Sequence, residues 1–391
     1  MKITSVTCHL CRSHASVEDS IGSAIVEIGT DEGIRGLGEP LMGMFCGEAA
    51  QALVGYYTPM LLGQDALDRN NAWKRMWDSS VWWGRGGDAV SVMGGIINAL
   101  WDIAGKAAGK PCYQLIRGSV PAPIPVYASL GLSPHAEEIP TTIARLRARG
   151  FRALKIGPFF REHDGVYGPR GSQLMHRMHS VLSAIRCEGG PEFGLMFDGH
   201  MGGVPDPFSR EEALDMAHLL EEFGCRFFEE PLSYLDPEGY AWLKKRTRVR
   251  ISGGESLSLR HGFERFLRHG ALDILQPDAN FVGGVDSFSA VVALASENRL
   301  DVIPHAWSGG PGVMANIHLA FGHPAVAMLE VGEQATDLQN DTIVSPLRII
   351  DGCLSPPTEP GLGSKFSPEV RRRFPFPPGL AERASGVLSA R

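Results

Sequence analysis

Between residues 124 and 330 the chain repeats one pattern eight times: a short apolar or β-branched run, most often closed by a polar or charged residue, then a helical stretch. The runs are Ile124–Leu130, Ala153–Ile156, Phe193–Phe197, Phe227–Phe228, Val249–Ser252, Ile274–Gln276, Val302–Pro304 and Ala327–Leu329. Strands that alternate with helices run parallel, because a parallel pair needs a long crossover between its members. Eight such units predict a closed α/β barrel. An open doubly wound sheet also alternates strands and helices, but it carries a glycine-rich fingerprint after its first strand. None follows Ile124–Leu130.

A barrel takes about 250 residues, so a chain of 391 has room for a second unit. The first third supplies it. Residues Ile3–Leu10 and Ser23–Gly29 read as strands, with turn chemistry at Thr30-Asp31-Glu32-Gly33. Helical patterns follow over Glu48–Leu61, Arg69–Ser79 and Asp88–Ala108. The expected division is an α+β domain over 1–120, a barrel over 121–354 beginning at a Pro-rich joint, and a segment over 355–391 that packs back on the first domain.

In a parallel barrel the C-terminal strand ends share one mouth, so residues distant in sequence meet there. Read in order, those ends give Lys155, Asp198 with His200, Glu229, Glu255, Asp278, His305 and Glu330. Asp198, Glu229 and Glu255 close three consecutive strands and form a hard oxygen set suited to Mg²⁺. One such acid alone would be an ordinary salt-bridged strand end; three in succession point to a metal. Thiolates are absent from the set and His is sparse, which disfavours zinc. Glu230 would face away from Glu229 along a continuing strand and is read as structural.

The net charge of −7 and the lack of any Lys/Arg stripe argue against a nucleic-acid partner. No apolar run behind Lys2 marks a leader or a membrane span, so the expected location is the cytoplasm. The seven scattered cysteines fit reduced thiols; Cys8 and Cys11 form a lone C-x-x-C without the second pair that zinc would need.

The motifs FDGH (197–200), FEEP (228–231), GGES (253–256), QPD (276–278) and PH (304–305), preceded by ALWDIAGK (99–106) and followed by PGLG (360–363), resemble the enolase superfamily. More narrowly, they resemble its mandelate racemase and muconate lactonizing branch. The resemblance spans nearly the whole chain. It implies a modified (β/α)₇β TIM barrel, an N-terminal α+β capping domain completed by the C-terminal tail, one Mg²⁺ per active site, a small-molecule carboxylate substrate and a homo-oligomer. It also brings its chemistry, a Lys or His base acting with Mg²⁺ on an ene-diolate.

Carried over by motif, Asp198, Glu229 and Glu255 are the metal ligands, and Asp278 orients His305 and raises its pKa. Glu330 contacts the substrate carboxylate or its ene-diolate, for which it would have to be protonated to donate. The branch usually places Lys-x-Lys at the second barrel strand; here Lys155-Ile156-Gly157 keeps only the first lysine. A two-base racemase would lack one base. His200, where some acid-sugar dehydratases of the branch place an acid, points instead to elimination of water. The expected activity is therefore Mg²⁺-dependent dehydration of an aldonate or aldarate to a 2-keto-3-deoxy acid. His305 is then the base, His200 the acid, and Lys155 and Glu330 hold the carboxylate. Alternatives are epimerisation or lactone cycloisomerisation on the same scaffold, a non-catalytic sugar-acid binding protein, and a metal-independent phosphate-substrate barrel.

By position, capping loops over 13–21 and 41–46 would cover the mouth, which makes His14, Glu18, Met42, Met44 and Phe45 substrate-facing candidates. Trp82, Trp83 and Arg85 precede the long helix, where Arg85 could meet a distal carboxylate or hydroxyl. Trp307, two residues past His305, could line the mouth by strand alternation. Gly157–Arg170 is longer than a βα connection requires, as lids are. Gly283-Gly284 and Gly309-Gly310-Pro311-Gly312 have the composition of a phosphate loop.

Overall fold

In this computed structural model the described residues are 1–13, 22–160, 169–333 and 336–376. The N-terminal sheet is antiparallel and three-stranded: β1 (Ile3–Arg12), β2 (Gly22–Thr30) and β3 (Arg35–Gly38). Against it lie α1 (Gly47–Leu61), α2 (Arg69–Ser80) and α3 (Gly87–Ala108). The strand β3 has no β-propensity of its own, since its sequence is Arg-Gly-Leu-Gly. Close approach to α3 explains it: a Cβ at Gly36 would lie 2.1 Å from the Ala99 carbonyl oxygen, and one at Gly38 2.0 Å from that of Gly95. Only glycine lets this strand pair with β2 while touching the helix.

Every residue of α3 from Ala89 to Gly105 is buried, as expected of a helix that is apolar nearly all round. It ends on Gly109 in the left-handed region (φ 62°), a common helix stop. One side of α3 meets the N-terminal sheet and another meets the barrel helix Gly284–Glu297. Gly94 and Gly284 touch there, with a Cβ at Gly94 placed 2.7 Å from the Gly284 nitrogen. The Gly283-Gly284 pair thus serves helix packing, and its phosphate-loop composition has this other cause.

The barrel strands are β4 (Ile124–Ser129), β5 (Ala153–Ile156), β6 (Gly194–Asp198), β7 (Phe227–Glu229), β8 (Arg250–Gly253), β9 (Ile274–Leu275), β10 (Asp301–Val302) and β11 (Leu329–Gly332). Neighbours from β4 to β10 are parallel, and β11 pairs parallel with β4. The ring closes through the residues before β11: Val326 bridges Val302, and the Ala327 amide donates to the Val302 carbonyl at 3.0 Å. The last strand therefore begins later than the sequence suggests, because its apolar lead-in pairs with β10 before β11 itself pairs with β4.

The barrel floor is filled by Tyr127, Ala153, Met196, Phe227, Ile274 and Ile303, with Met328 against them. Outside the ring, a hairpin of β12 (Ile349–Ile350) and β13 (Cys353–Leu354) extends β4 antiparallel. The chain then returns to the N-terminal domain. The Leu362 amide donates to buried Asp102 of α3 at 2.7 Å, Arg12 donates to the Phe374 carbonyl, and Phe366 packs on the His9 ring. No helix among the described residues is long and apolar enough to cross a membrane.

Candidate active site

A strand aims every second side chain at the same face. Lys155, Asp198, Glu229 and Glu330 each lie two residues beyond a floor residue, namely Ala153, Met196, Phe227 and Met328. The alternation that packs the floor therefore turns these four charges into the barrel, just above it. All are at least 97% buried.

Lys155 is the hub. Its Nζ lies 2.7 Å from Glu229, 2.9 Å from Glu330 and 3.1 Å from Asp198. An ammonium has three donors, and all three are engaged. Burial alone would lower the Lys155 pKa, but Glu229 and Glu330 hold it well above the ordinary value. Burial would likewise raise Glu330, yet Lys155 and His305 bring it down to about 2. Glu330 is thus an ionised acceptor here, bonded also by the Ala306 amide at 2.8 Å.

Asp198, Glu229 and Glu255 each offer a carboxylate oxygen within 4.8 Å of the other two. Their chemistry and charge fit a divalent cation of the Mg²⁺ kind. Glu229 Oε1 and Glu255 Oε2 are buried without a hydrogen-bond partner among the described residues. Burial and the Asp198 charge push Glu229 up to about 8, and burial pushes Glu255 up to about 7. Acids so short of positive charge are what a metal would satisfy.

At one end of this triad stands His305. Its Nδ1 is 2.6 Å from Asp278 Oδ2, and its Nε2 is 3.5 Å from Glu255. Asp278 is fixed in turn by the Asn280 amide at 2.6 Å and by Asn316 Nδ2 at 3.1 Å. Burial would lower the His305 pKa, but Glu255, Glu330 and Asp278 hold it well above normal.

At the other end stands His200. Its amide donates to Asp198 Oδ1 at 2.9 Å and its Nδ1 lies 3.4 Å from the same oxygen. Strand alternation does not bring it there, because β6 ends at Asp198. His200 adopts φ 52° in the left-handed region, and that turn lays its ring beside the acids. Burial pulls its pKa below the ordinary value.

The N-terminal domain reaches the same mouth. The Leu41 amide donates to the Asn280 carbonyl at 3.0 Å, so the turn Leu41–Met44 is pinned two residues from Asp278. Met42 is buried, Met44 is half-buried, and Phe45 is 74% exposed. Trp307 packs across Gly131 and Gly332 and lines a small cavity with Ala306, Ser308, Thr336 and Gln339. Trp82 projects into solvent, Trp83 stacks on Tyr57, and Arg85 donates to Val81 in its own turn. No hydrogen bond or ring contact among the described residues joins these three to the acids. His14, Glu18 and residues 161–168 of the long connection lie outside the described residues.

One residue with a bearing on the site was missed in the sequence. Glu39, 1% exposed, follows β3 and accepts from the amides of Gly309 (3.0 Å) and Gly312 (3.1 Å) and from Ser23 Oγ (2.6 Å). It thus occupies the N-terminus of helix Gly310–Gly322, just after His305. The amides that the sequence offered to a phosphate are bonded to a carboxylate of the capping domain. A glycine-rich helix start with no acid of its own was the available signal.

Residues 8–117 match the mandelate racemase / muconate lactonizing enzyme N-terminal domain, and residues 138–370 match the family described as enolase C-terminal domain-like. A D-galactarolactone cycloisomerase from Agrobacterium fabrum is 27% identical over 96% of this chain and 100% of its own. An arabinonate dehydratase from Saccharolobus solfataricus is 30% identical over 86% of each chain. The crystal structure of a racemase from Streptomyces coelicolor A3(2) with bound magnesium superposes with a TM-score of 0.82 at 28% identity, covering 95% of this chain and 99% of that one. The chain belongs to the enolase superfamily, in its mandelate racemase and muconate lactonizing branch.

Proposed function

We propose that the protein is a Mg²⁺-dependent dehydratase of an acid sugar, an aldonate or aldarate, yielding a 2-keto-3-deoxy acid. The observation that carries this reading is the pair of imidazoles at opposite ends of the acid triad, one backed by Asp278 and one beside Asp198. A base and an acid are thereby available across one substrate, with no second lysine to act as a base.

Asp198, Glu229 and Glu255 would hold the metal, which when bound supplies Lewis-acid stabilisation of developing negative charge. Positioned acid–base groups contribute roughly 10²–10⁴-fold, too little by themselves for a proton next to a carboxylate. His305 Nε2 takes the α-proton, and the C–H electron pair becomes the ene-diolate of the substrate. Lys155, released from one of its three carboxylates, places its charge on the substrate carboxylate, with Glu330 holding the ammonium in position. The ene-diolate pair then expels the β-hydroxyl as His200 donates a proton, so water leaves and the resulting enol tautomerises to the ketone. The seven cysteines without a disulfide fit a reducing, cytoplasmic setting. A homo-oligomer belongs to the same proposal on the family resemblance.

The test is a screen of the protein with Mg²⁺ against stereoisomeric aldonic and aldaric acids, with 2-keto-3-deoxy acid trapped by semicarbazide. Turnover that disappears with EDTA and in His305→Asn supports dehydration. The cycloisomerase relative, matched over 96% of this chain, favours a second reading. Under that reading α-deuterium exchange or lactone rearrangement proceeds without loss of water, and the dehydratase assignment fails.

A further inference from the structure

The second face of the site is shaped by a residue with no side chain. Gly157 follows β5, is buried, and lies directly under the His200 ring. A Cβ built on it would stand 2.8 Å from the Asp198 carbonyl oxygen and 3.4 Å from His200 Nδ1, with His200 Cε1 next at 3.8 Å. The backbone at this point has little freedom to yield. Ser133, 1% exposed, donates its hydroxyl to the Gly157 carbonyl at 2.5 Å and accepts from the Gly157 amide at 3.1 Å. The Ser133 amide also donates to the Phe159 carbonyl at 2.7 Å, which fixes the following turn. Phe159 meets the same imidazole, its ring centroid 5.7 Å away.

His200 therefore sits between Gly157 and Phe159. Its Nδ1 is buried against Asp198 while 36% of the side chain stays accessible, which leaves Nε2 as the edge able to reach a substrate. The left-handed φ of 52° at His200 commits the ring to this place from its own backbone. A Cβ at 157 would force the Asp198 carbonyl, two residues before His200, to move, and it would already touch the imidazole, so that any longer side chain would need the ring's own space. We propose that Gly157, clamped by Ser133, is the positioning residue that seats His200 and so selects elimination of water over simple exchange of the α-proton. The inference rests on the dehydratase reading for its chemistry, but the steric claim stands on the backbone contacts alone.

Gly157→Ala and the milder Ser133→Ala test it, with His200→Asn as reference and magnesium affinity as the check on an intact acid triad. Dehydration by Gly157→Ala is expected to fall by roughly 10²-fold or more, the range of a lost general acid. Exchange of the α-hydrogen for deuterium, which needs His305, Lys155 and the metal but no proton from His200, should stay within a few-fold of the parent. Ser133→Ala should shift the same ratio by less. Equal losses of exchange and dehydration, or none of either, would overturn the proposal. A crystal structure of the magnesium-loaded Gly157→Ala protein separates this claim from the choice of reaction. If the parent dehydrates no acid sugar, a displaced His200 ring still upholds the seat, and an unmoved ring removes it.

Discussion

Asp278 Oδ2 lies 2.6 Å from His305 Nδ1, and Asp278 itself is held by two further donors, the Asn280 amide and Asn316 Nδ2. A carboxylate so fixed sets both the tautomer and the direction of the imidazole, leaving Nε2 toward the acids. Asp278→Asn keeps the shape but removes the charge that holds the proton on Nδ1. Turnover should fall by roughly 10²–10⁴-fold, with the acidic limb of the pH–rate profile moved to lower pH, because the Asp278 charge that raises His305 is gone, and magnesium affinity unchanged. Retention of parental kcat would show that the pair is only structural.

Magnesium should stabilise the fold as well as serve the chemistry. The acid triad is short of positive charge, and Glu229 is pushed up to about 8 by burial and by Asp198. A ligand that binds only the folded state adds about 2.7 kcal/mol at a hundredfold excess over its Kd. Thermal unfolding should therefore move to higher temperature with added Mg²⁺ and return with EDTA. Glu229→Gln should lose most of that shift; an undiminished shift would place the cation elsewhere.

Glu39 makes an opposite pH signature testable. Burial pushes its carboxyl up to about 7, above the value near 4.5 expected when unfolded. A group raised in this way contributes stability that is present below pH 4.5 and lost as pH rises through about 7. At roughly 1.4 kcal/mol per unit, the parent should lose about 3 kcal/mol across that window from this group. Glu39→Gln keeps an acceptor for Gly309 and Gly312 and should not show this loss. Denaturant unfolding at pH 5 and pH 8 on both proteins reads the difference.

His318 contributes on the acid side. It is 1% exposed, its Nδ1 accepts from the Tyr113 amide, and burial pulls its pKa down to about 3. Its unfolded value is near 6.5, so the unfolded chain binds a proton first as pH falls. Stability from this group is intact above about pH 6.5 and declines toward pH 3. Between pH 6.5 and 5 the expected loss is about 2 kcal/mol, and it should be absent from the slope measured for His318→Gln.

The barrel and most of its acids were legible because they follow the two-residue alternation that also fills the floor. Lys155, Asp198, Glu229 and Glu330 inherit their direction from Ala153, Met196, Phe227 and Met328. What was not legible depends on close approach or on unusual backbone. The strand β3 exists because Gly36 and Gly38 fit against α3, a tertiary fact with no propensity behind it. His200 reaches the site through a left-handed turn beyond the end of β6, which strand alternation does not foretell. Glu39 has no local motif, and the amides it accepts from lie some 270 residues away. The exposed Trp82 illustrates the converse, since an aromatic cluster in sequence need not converge on a site.

The carboxylate of Glu39 at the start of helix Gly310–Gly322 also bears on how such chains can be recombined. A graft that exchanged the capping domain for one without an acid at this point would leave two amides beside the loop that carries His305 unanswered. The two modules of this chain therefore meet as a matched pair, and substrate-range engineering on this scaffold has to carry the acid and its glycines together.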